Sequence, residues 1–348
     1  MKRVLAILIS CMMILPLTAC AGSSNAESSS KEADASTAEA APADDGQTYE
    51  INIAHIVNEG NSWHKASVFF KDYVEEKSNG RITVNIYPNN QLGSEMDVIN
   101  SIMTDGGADI TFTGESMQSV IPEMGILGVP YLMRSSEQLQ AVADGEIGKQ
   151  LEQLMLDNAN MKVLGYFERG PRDVTANKEI RTPEDMKGFI IRVPASPITV
   201  AAMEALGAKP TPMAFSEVFT SLQQKTIEGQ ENPLAMIKTG TFYEVQKYLC
   251  KTEHLRSWVY IAMSNTKLQS MPQDLQDLVI EAGKEMQNFE HEQFLKDEAE
   301  LEQFLTEKGM TIIDDVDQEA FAEKALQGVE EVLPDALKPL YDEIRAMG

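Results

Sequence analysis

Cysteine is scarce in this chain, with three residues in 348, two of them within the first twenty. That excludes a disulfide framework and leaves no C-x-x-C pair for a metal or redox centre. Basic residues are also few. The 29 Lys plus Arg face 54 Asp plus Glu, and the resulting formal charge of −25 repels a phosphate backbone, so nucleic acid is not an expected partner. The four histidines, His55, His64, His254 and His291, are scattered without metal-ligand spacing. There is no G-x-S-x-G elbow, P-loop or G-x-G-x-x-G fingerprint. Repeats, coiled-coil heptads and any second membrane segment are missing as well. Adjacent acids such as Glu184-Asp185 and Asp314-Asp315 read as solvated surface in so acidic a chain, so no catalytic residue, cofactor or metal is expected.

What is present begins at the N-terminus. Met1-Lys2-Arg3 precedes an apolar run from Val4 to Leu17, too short for an ordinary membrane span, and Leu17-Thr18-Ala19-Cys20 follows. The pattern predicts a lipoprotein signal peptide over 1–19 and acylation of Cys20, anchoring the mature chain through lipid. Residues 20–47 hold no aromatic or large aliphatic side chain and read as a disordered acidic tether. Cys11 leaves with the signal, so Cys250 is the thiol of the folded body and reads as a small buried hydrophobe.

The body is of the size at which one core divides into two. Tyr49 to Ala54 alternates as a first strand, a polar loop runs from His55 to Ser62, and Trp63, Ala66, Phe70 and Val74 keep helical spacing up to Asn79-Gly80. Arg81 to Tyr87 is a second strand, residues 95–103 a short helix, and ADITFTG a third strand. This alternation is the rhythm of a parallel α/β sheet, whose ligands gather at the carboxyl ends of strands. Further on, 144–158 reads as one helix, 161–166 as a strand, 189–193 as a strand before Pro194, and Gly229 to Pro233 as a polar turn. Trp258 to Ser264 is strand-like, and from Pro272 the periodicity predicts one helix of about 35 residues, roughly 50 Å long, enough to brace two lobes.

Arg192 is the sharpest local signal. A guanidinium at the end of a β-branched run is held stiffly, and its planar fork can make two parallel bonds to one carboxylate; the bland alternative is an edge-strand arginine paired with a surface acid. Arg172 lies beside Asp173, which makes it either a ligand contact or half of a local pair. Glu115 follows Gly114 at a strand end, placed to cap a helix or to accept from ligand hydroxyls. Asn232 before Pro233 is first of all a turn residue, and Phe215 would ordinarily be core.

Taken together, the segments RDVTANKEIRTPEDMKGFIIRVP, GAKPTPMAFSEVFTSLQ and EGQENPLA resemble the substrate-binding proteins of tripartite ATP-independent periplasmic (TRAP) transporters, of the dicarboxylate and sialic-acid type. Supporting matches in EEKSNGRITVNIYPNNQLGSE and SNTKLQSMPQDLQDLVIEAGKE extend the resemblance over roughly residues 48–310. It implies that Arg192 clamps a ligand carboxylate, that Arg172 and Asn232 support it, that Phe215 lines the cleft, and that Glu115 contacts ligand hydroxyls. Asn58 would be the polar contact of the first loop. The implied fold is α/β and bilobed, of the periplasmic-binding-protein kind, with two mixed β-sheet lobes and the long helix across both. Lobe one would hold 48–169 plus about 258–290, and lobe two 170–257 plus the C-terminal helices to 348.

The implied function is capture, outside the cytoplasm, of a small organic acid anion: a sugar acid such as a uronate or sialic acid, or a C4-type dicarboxylate. The ligand would pass to an ion-gradient-driven permease of small and large integral membrane subunits. A lipid-anchored monomer performing no covalent step is expected. Two other classes would use a similar pocket. An anion sensor would hand its closed form to a different partner, and an enzyme acting on sugar acids would need a tuned base beside its substrate.

Overall fold

In the computed structural model, which describes residues 46–347, strands and helices alternate from the first element onward. The expected signal peptide, Cys20 and nearly all of the tether lie outside the described residues. β1 (Tyr49–Ala54) leads to α1 (Ser62–Lys77), β2 (Ile82–Tyr87), α2 (Glu95–Met103) and β3 (Ile110–Thr113). Local chemistry starts both helices. The Asn61 side chain accepts from the Trp63 amide ahead of α1, and Ser94 and Asp97 form a capping box ahead of α2. Two 3₁₀ segments, Glu115–Ser119 and Pro122–Gly128, then carry the chain to α3 (Ser136–Ala143), α4 (Glu146–Ala159) and β4 (Met161–Glu168). The single helix expected over 144–158 is therefore preceded by another, with Gly145 at the junction, where a Cβ would stand 2.7 Å from the Ala141 carbonyl oxygen.

The chain then crosses to a second sheet. β5 (Arg172–Ala176), β6 (Ile190–Val193), α5 (Pro197–Ala205), β7 (Lys209–Pro212), α6 (Phe215–Gln223), β8 (Gly229–Asn232), α7 (Leu234–Thr239) and β9 (Tyr248–Leu255) follow in order. It returns through β10 (Trp258–Ser264), α8 (Asn265–Gln269) and α9 (Gln273–Glu307), and closes with β11 (Thr311–Ile313), α10 (Gln318–Val332) and α11 (Lys338–Arg345).

One sheet has the order β2-β1-β3-β10-β4 and the other β11-β9-β5-β8-β6-β7. In the first, β1 runs parallel to β2 and β3 as the rhythm predicts, while β10 enters antiparallel between β3 and β4. Both sheets are mixed, since β5 is antiparallel to β8 and β9 whereas β6 is parallel to β7 and β8. The QEN segment expected to be a turn is buried strand, its four positions Gly229–Asn232 all shielded by neighbours in the sheet. Its polarity misled because the polar groups have partners inside the protein.

α9 bridges the two lobes. Near its start Leu275, Val279, Ala282 and Met286 pack in one core with Ile51, Phe112 and Ile261. Near its end Leu301 and Leu305 pack in another with Val218, Ile237 and Leu249. Each such Val, Leu, Ile, Phe or Met side chain, fully buried, contributes about 1.5–3 kcal/mol. Midway, Gly283 lets the helix touch the sheet, since a Cβ there would lie 2.5 Å from Leu164 Cβ. The fold thus has two extended crossings, β4 to β5 and β9 to β10, with one long helix alongside them.

Candidate functional site

The cleft between the sheets is where the strand ends converge. Thr113 closes β3, Arg172 opens β5, Arg192 lies near the end of β6, and Asn232 ends β8. One pocket is lined by Arg172, Arg192, Asn232, Phe215 and Glu115, five of the six expected binding residues, and also by Glu95, Ser116, Arg169, Trp63 and Met236. Counting the part that opens to solvent, the pocket encloses about 420 Å³. Gly114 makes the tight passage beneath it, for a Cβ there would lie 2.8 Å from the Trp258 carbonyl oxygen.

Arg192 is 4% exposed, and its Nε and Nη2 both donate to the Met213 carbonyl, at 3.0 and 2.9 Å. That bond aims the fork and leaves Nη1 without a protein acceptor among the described residues. No carboxylate lies within ion-pair distance of it among them either. Burial, reinforced by the like charge of Arg172, lowers its pKa to about 10 even with Glu231 nearby. A buried cation without an anion is costly, and the arrangement suits an anion arriving from outside.

Arg172 differs. Its Nε and Nη2 grip the two oxygens of Glu231, Nη2 at 2.7 Å, and Nη2 also donates to the Glu231 carbonyl at 2.7 Å. Nη1 reaches Glu115 at 3.4 Å. Burial works against the Glu231 carboxylate, but Arg172 and a bond to the His254 ring overcome it and hold its pKa at about 2. The second arginine thus already has a resident carboxylate.

Glu115 is shared, accepting from Arg169 on one oxygen and from Arg172 on the other. Burial pushes its pKa up, yet the two guanidiniums win and lower it. Arg169 also donates to the Ser257 hydroxyl, which ties the first crossing to the second. Glu95, the first residue of α2, has no ion-pair partner among the described residues. It accepts from the hydroxyls of Thr113 at 2.8 Å and Ser116 at 3.0 Å, and burial raises its pKa. Phe215, the first residue of α6, packs against Phe242 with ring centroids 5.6 Å apart, and Asn232 donates to Gln230.

Asn58 stands apart from this pocket. It lines a neighbouring cavity and donates to the Thr239 carbonyl at 3.3 Å, while Asn61 donates to the Thr239 hydroxyl at 3.1 Å. Both bonds join the loop after β1 to α7, across the cleft. Sequence reasoning missed Arg169, Glu95 and Glu231. Arg169 stands three residues before Arg172 in a turn-rich stretch, and the one available signal was its place at the end of a strand. His55 and His64, read as scattered, sit with ring nitrogens 3.3 Å apart. Among the described residues no group of three or more His, Cys, Asp or Glu could hold a metal, and no helix is long and apolar enough to cross a membrane.

The model of the bacterial extracellular solute-binding proteins, family 7, matches residues 53–334. A TRAP solute-binding protein of Roseobacter denitrificans, solved with bound L-galactonate, superposes with a TM-score of 0.83 at 40% identity, covering 86% of this chain and 99% of that one. The 2,3-diketo-L-gulonate-binding periplasmic protein of Escherichia coli is 30% identical over 78% of this chain and 83% of its own length. A Sulfurospirillum deleyianum TRAP protein solved with succinate superposes at 0.80 with 28% identity, covering 87% of this chain and all of that one.

Proposed function

Since this chain belongs to the family 7 bacterial extracellular solute-binding proteins, the receptors of TRAP transporters, we propose that its Arg192 holds the carboxylate of a hydroxylated sugar acid. The family binds small organic acids outside the cytoplasm and delivers them to a membrane permease. The observation that carries the proposal is the buried guanidinium of Arg192, aimed by Met213 and lacking a carboxylate among the described residues. Asn232 and Phe215 flank it, and Arg172, fixed by Glu231, acts on the ligand through its positive field. Glu95 and Glu115 are acceptors fit for ligand hydroxyls. The sugar-acid ligands of the Roseobacter and Escherichia relatives favour this class. Asn58, expected from the resemblance to contact the ligand, lines a neighbouring cavity and bonds the Thr239 carbonyl across the cleft.

Calorimetric titration with aldonates, uronates and C4 diacids tests the reading. Arg192→Ala should cost on the order of 2–5 kcal/mol, roughly 30-fold to several thousand-fold, as for other truncated desolvated charge pairs. Arg192→Lys should recover little, because an ammonium offers a point where the fork offers two parallel bonds. A folded Arg192→Ala protein with wild-type affinity would overturn the assignment.

We propose further that the mature chain starts at an acylated Cys20 and stands off the membrane on the acidic tether. Mass spectrometry of membrane-extracted protein should find the lipid on Cys20; an unmodified peptide beginning elsewhere would refute it.

A further inference from the structure

The charged groups around the pocket leave a definite imbalance. Three guanidiniums line it, those of Arg169, Arg172 and Arg192. Two carboxylates answer them: Glu231 on Arg172, and Glu115 shared between Arg169 and Arg172. Arg192 is the cation left over. The remaining acid, Glu95, touches hydroxyls of Thr113 and Ser116, and Ser116 is the next residue after Glu115. The pocket lining therefore holds one guanidinium without an ion-paired acid, Arg192, and two acids, Glu95 and Glu115, that act on each other.

We infer that Glu115, braced by Arg169, sets the valence of the ligand: the pocket takes one carboxylate, at Arg192, and rejects a second beside Glu95 and Glu115. This rests on the carboxylate reading above and goes further, because it separates sugar monoacids from diacids of the same length. A hydroxyl beside these acids donates to them, whereas a carboxylate there has no proton to donate and meets the charge of the buried Glu115. Arg169 is drawn to Glu115 and the Ser257 hydroxyl, which share its Nη2. Rejection of this kind works by building in a repulsive element rather than by improving contacts to the favoured ligand.

L-Galactonate and galactarate make the test, since they share a six-carbon hydroxylated chain and differ in whether the far carbon is a hydroxymethyl or a second carboxylate. Wild-type protein should bind galactonate at least about tenfold more tightly, as like charges across an interface cost several kcal/mol. Glu115→Gln should narrow that ratio by about tenfold or more, and Arg169→Met, which leaves Glu115 charged and unbraced, should widen it. A merely structural role would move both ratios the same way or neither. Thermal unfolding without ligand checks the fold, and if Glu115→Gln does not fold, the direction of the Arg169→Met change decides. Equal wild-type affinities, with both ligands lost in Arg192→Ala, would overturn this inference and leave the carboxylate reading standing. Wild-type affinities surviving in Arg192→Ala would bring down both.

Discussion

Glu290 lies on the inner face of α9 with 1% of its surface exposed, a carboxyl group in the middle of the helix that bridges the lobes. One oxygen accepts from the Ser62 hydroxyl at 2.7 Å at the start of α1; the other has no partner among the described residues. Burial, with smaller contributions from Glu168 and Asp297, raises its pKa from 4.5 to about 8. The group is therefore protonated in the native state and ionised in the unfolded chain across that interval. Because the unfolded state binds fewer protons there, its stabilising effect is complete below pH 4.5 and is lost as pH rises through 8. At about 1.4 kcal/mol per pKa unit, roughly 3–4 kcal/mol disappears between about pH 5 and pH 8. Glu290→Gln keeps the shape and cannot ionise, so it should escape this loss. For a protein of this size 1 kcal/mol moves the Tm by about 2 °C, so the variant should gain on wild type by about 5–8 °C on going from about pH 5 to pH 8. Calorimetry at several pH values reads this directly. A Tm difference between variant and wild type that stays constant over that range would refute a neutral Glu290.

Glu231→Gln should behave oppositely. It strips Arg172 of its two-pronged partner and should cost about 3–5 kcal/mol, with a Tm deficit that stays level above about pH 5 because the lowered carboxylate loses its contribution only as pH falls from 4.5 through 2. Gly283→Ala should destabilise by about 1–3 kcal/mol by driving α9 off Leu164, read as a lower denaturant midpoint. Cys250 is fully buried and burial raises its thiol to about 11, so a thiol reagent at neutral pH should label it only after unfolding; rapid labelling of native protein would contradict its place in the core.

The elements legible in the sequence were those whose residues carry their own period or punctuation. α9 begins one residue after Pro272 and runs 35 residues, as its apolar spacing predicts, and the strand bearing Arg192 stands where GFIIRVP places it. β8 was misread because Gln230, Glu231 and Asn232 satisfy turn chemistry locally, while Gln230 and Glu231 find their partners on distant strands, Thr175 for the first and Arg172 and His254 for the second. Glu95 looked like an ordinary acid in the first turn of a helix, which it also is; only the packing of α2 beside the end of β3 brings it to the pocket. Arg169 had no pattern of its own, being one charged residue among several in a crossing. Polar groups that work across the cleft are specified by topology, and a local window does not contain topology.

The position of β10 also bears on when the molecule can assemble. It is the last strand of its sheet to be synthesised and sits between β3 and β4, so β3 has only β1 beside it and β4 has no sheet partner until Ser264 has been made. A nascent chain ending before that point carries two open edges in one lobe and lacks the α9 brace for both. Loop closure over such separations is slow compared with local pairing. For a polypeptide that must cross a membrane before it works, the delay is useful: the strand order itself keeps the early part of the chain from closing into a native lobe while the rest is still being threaded.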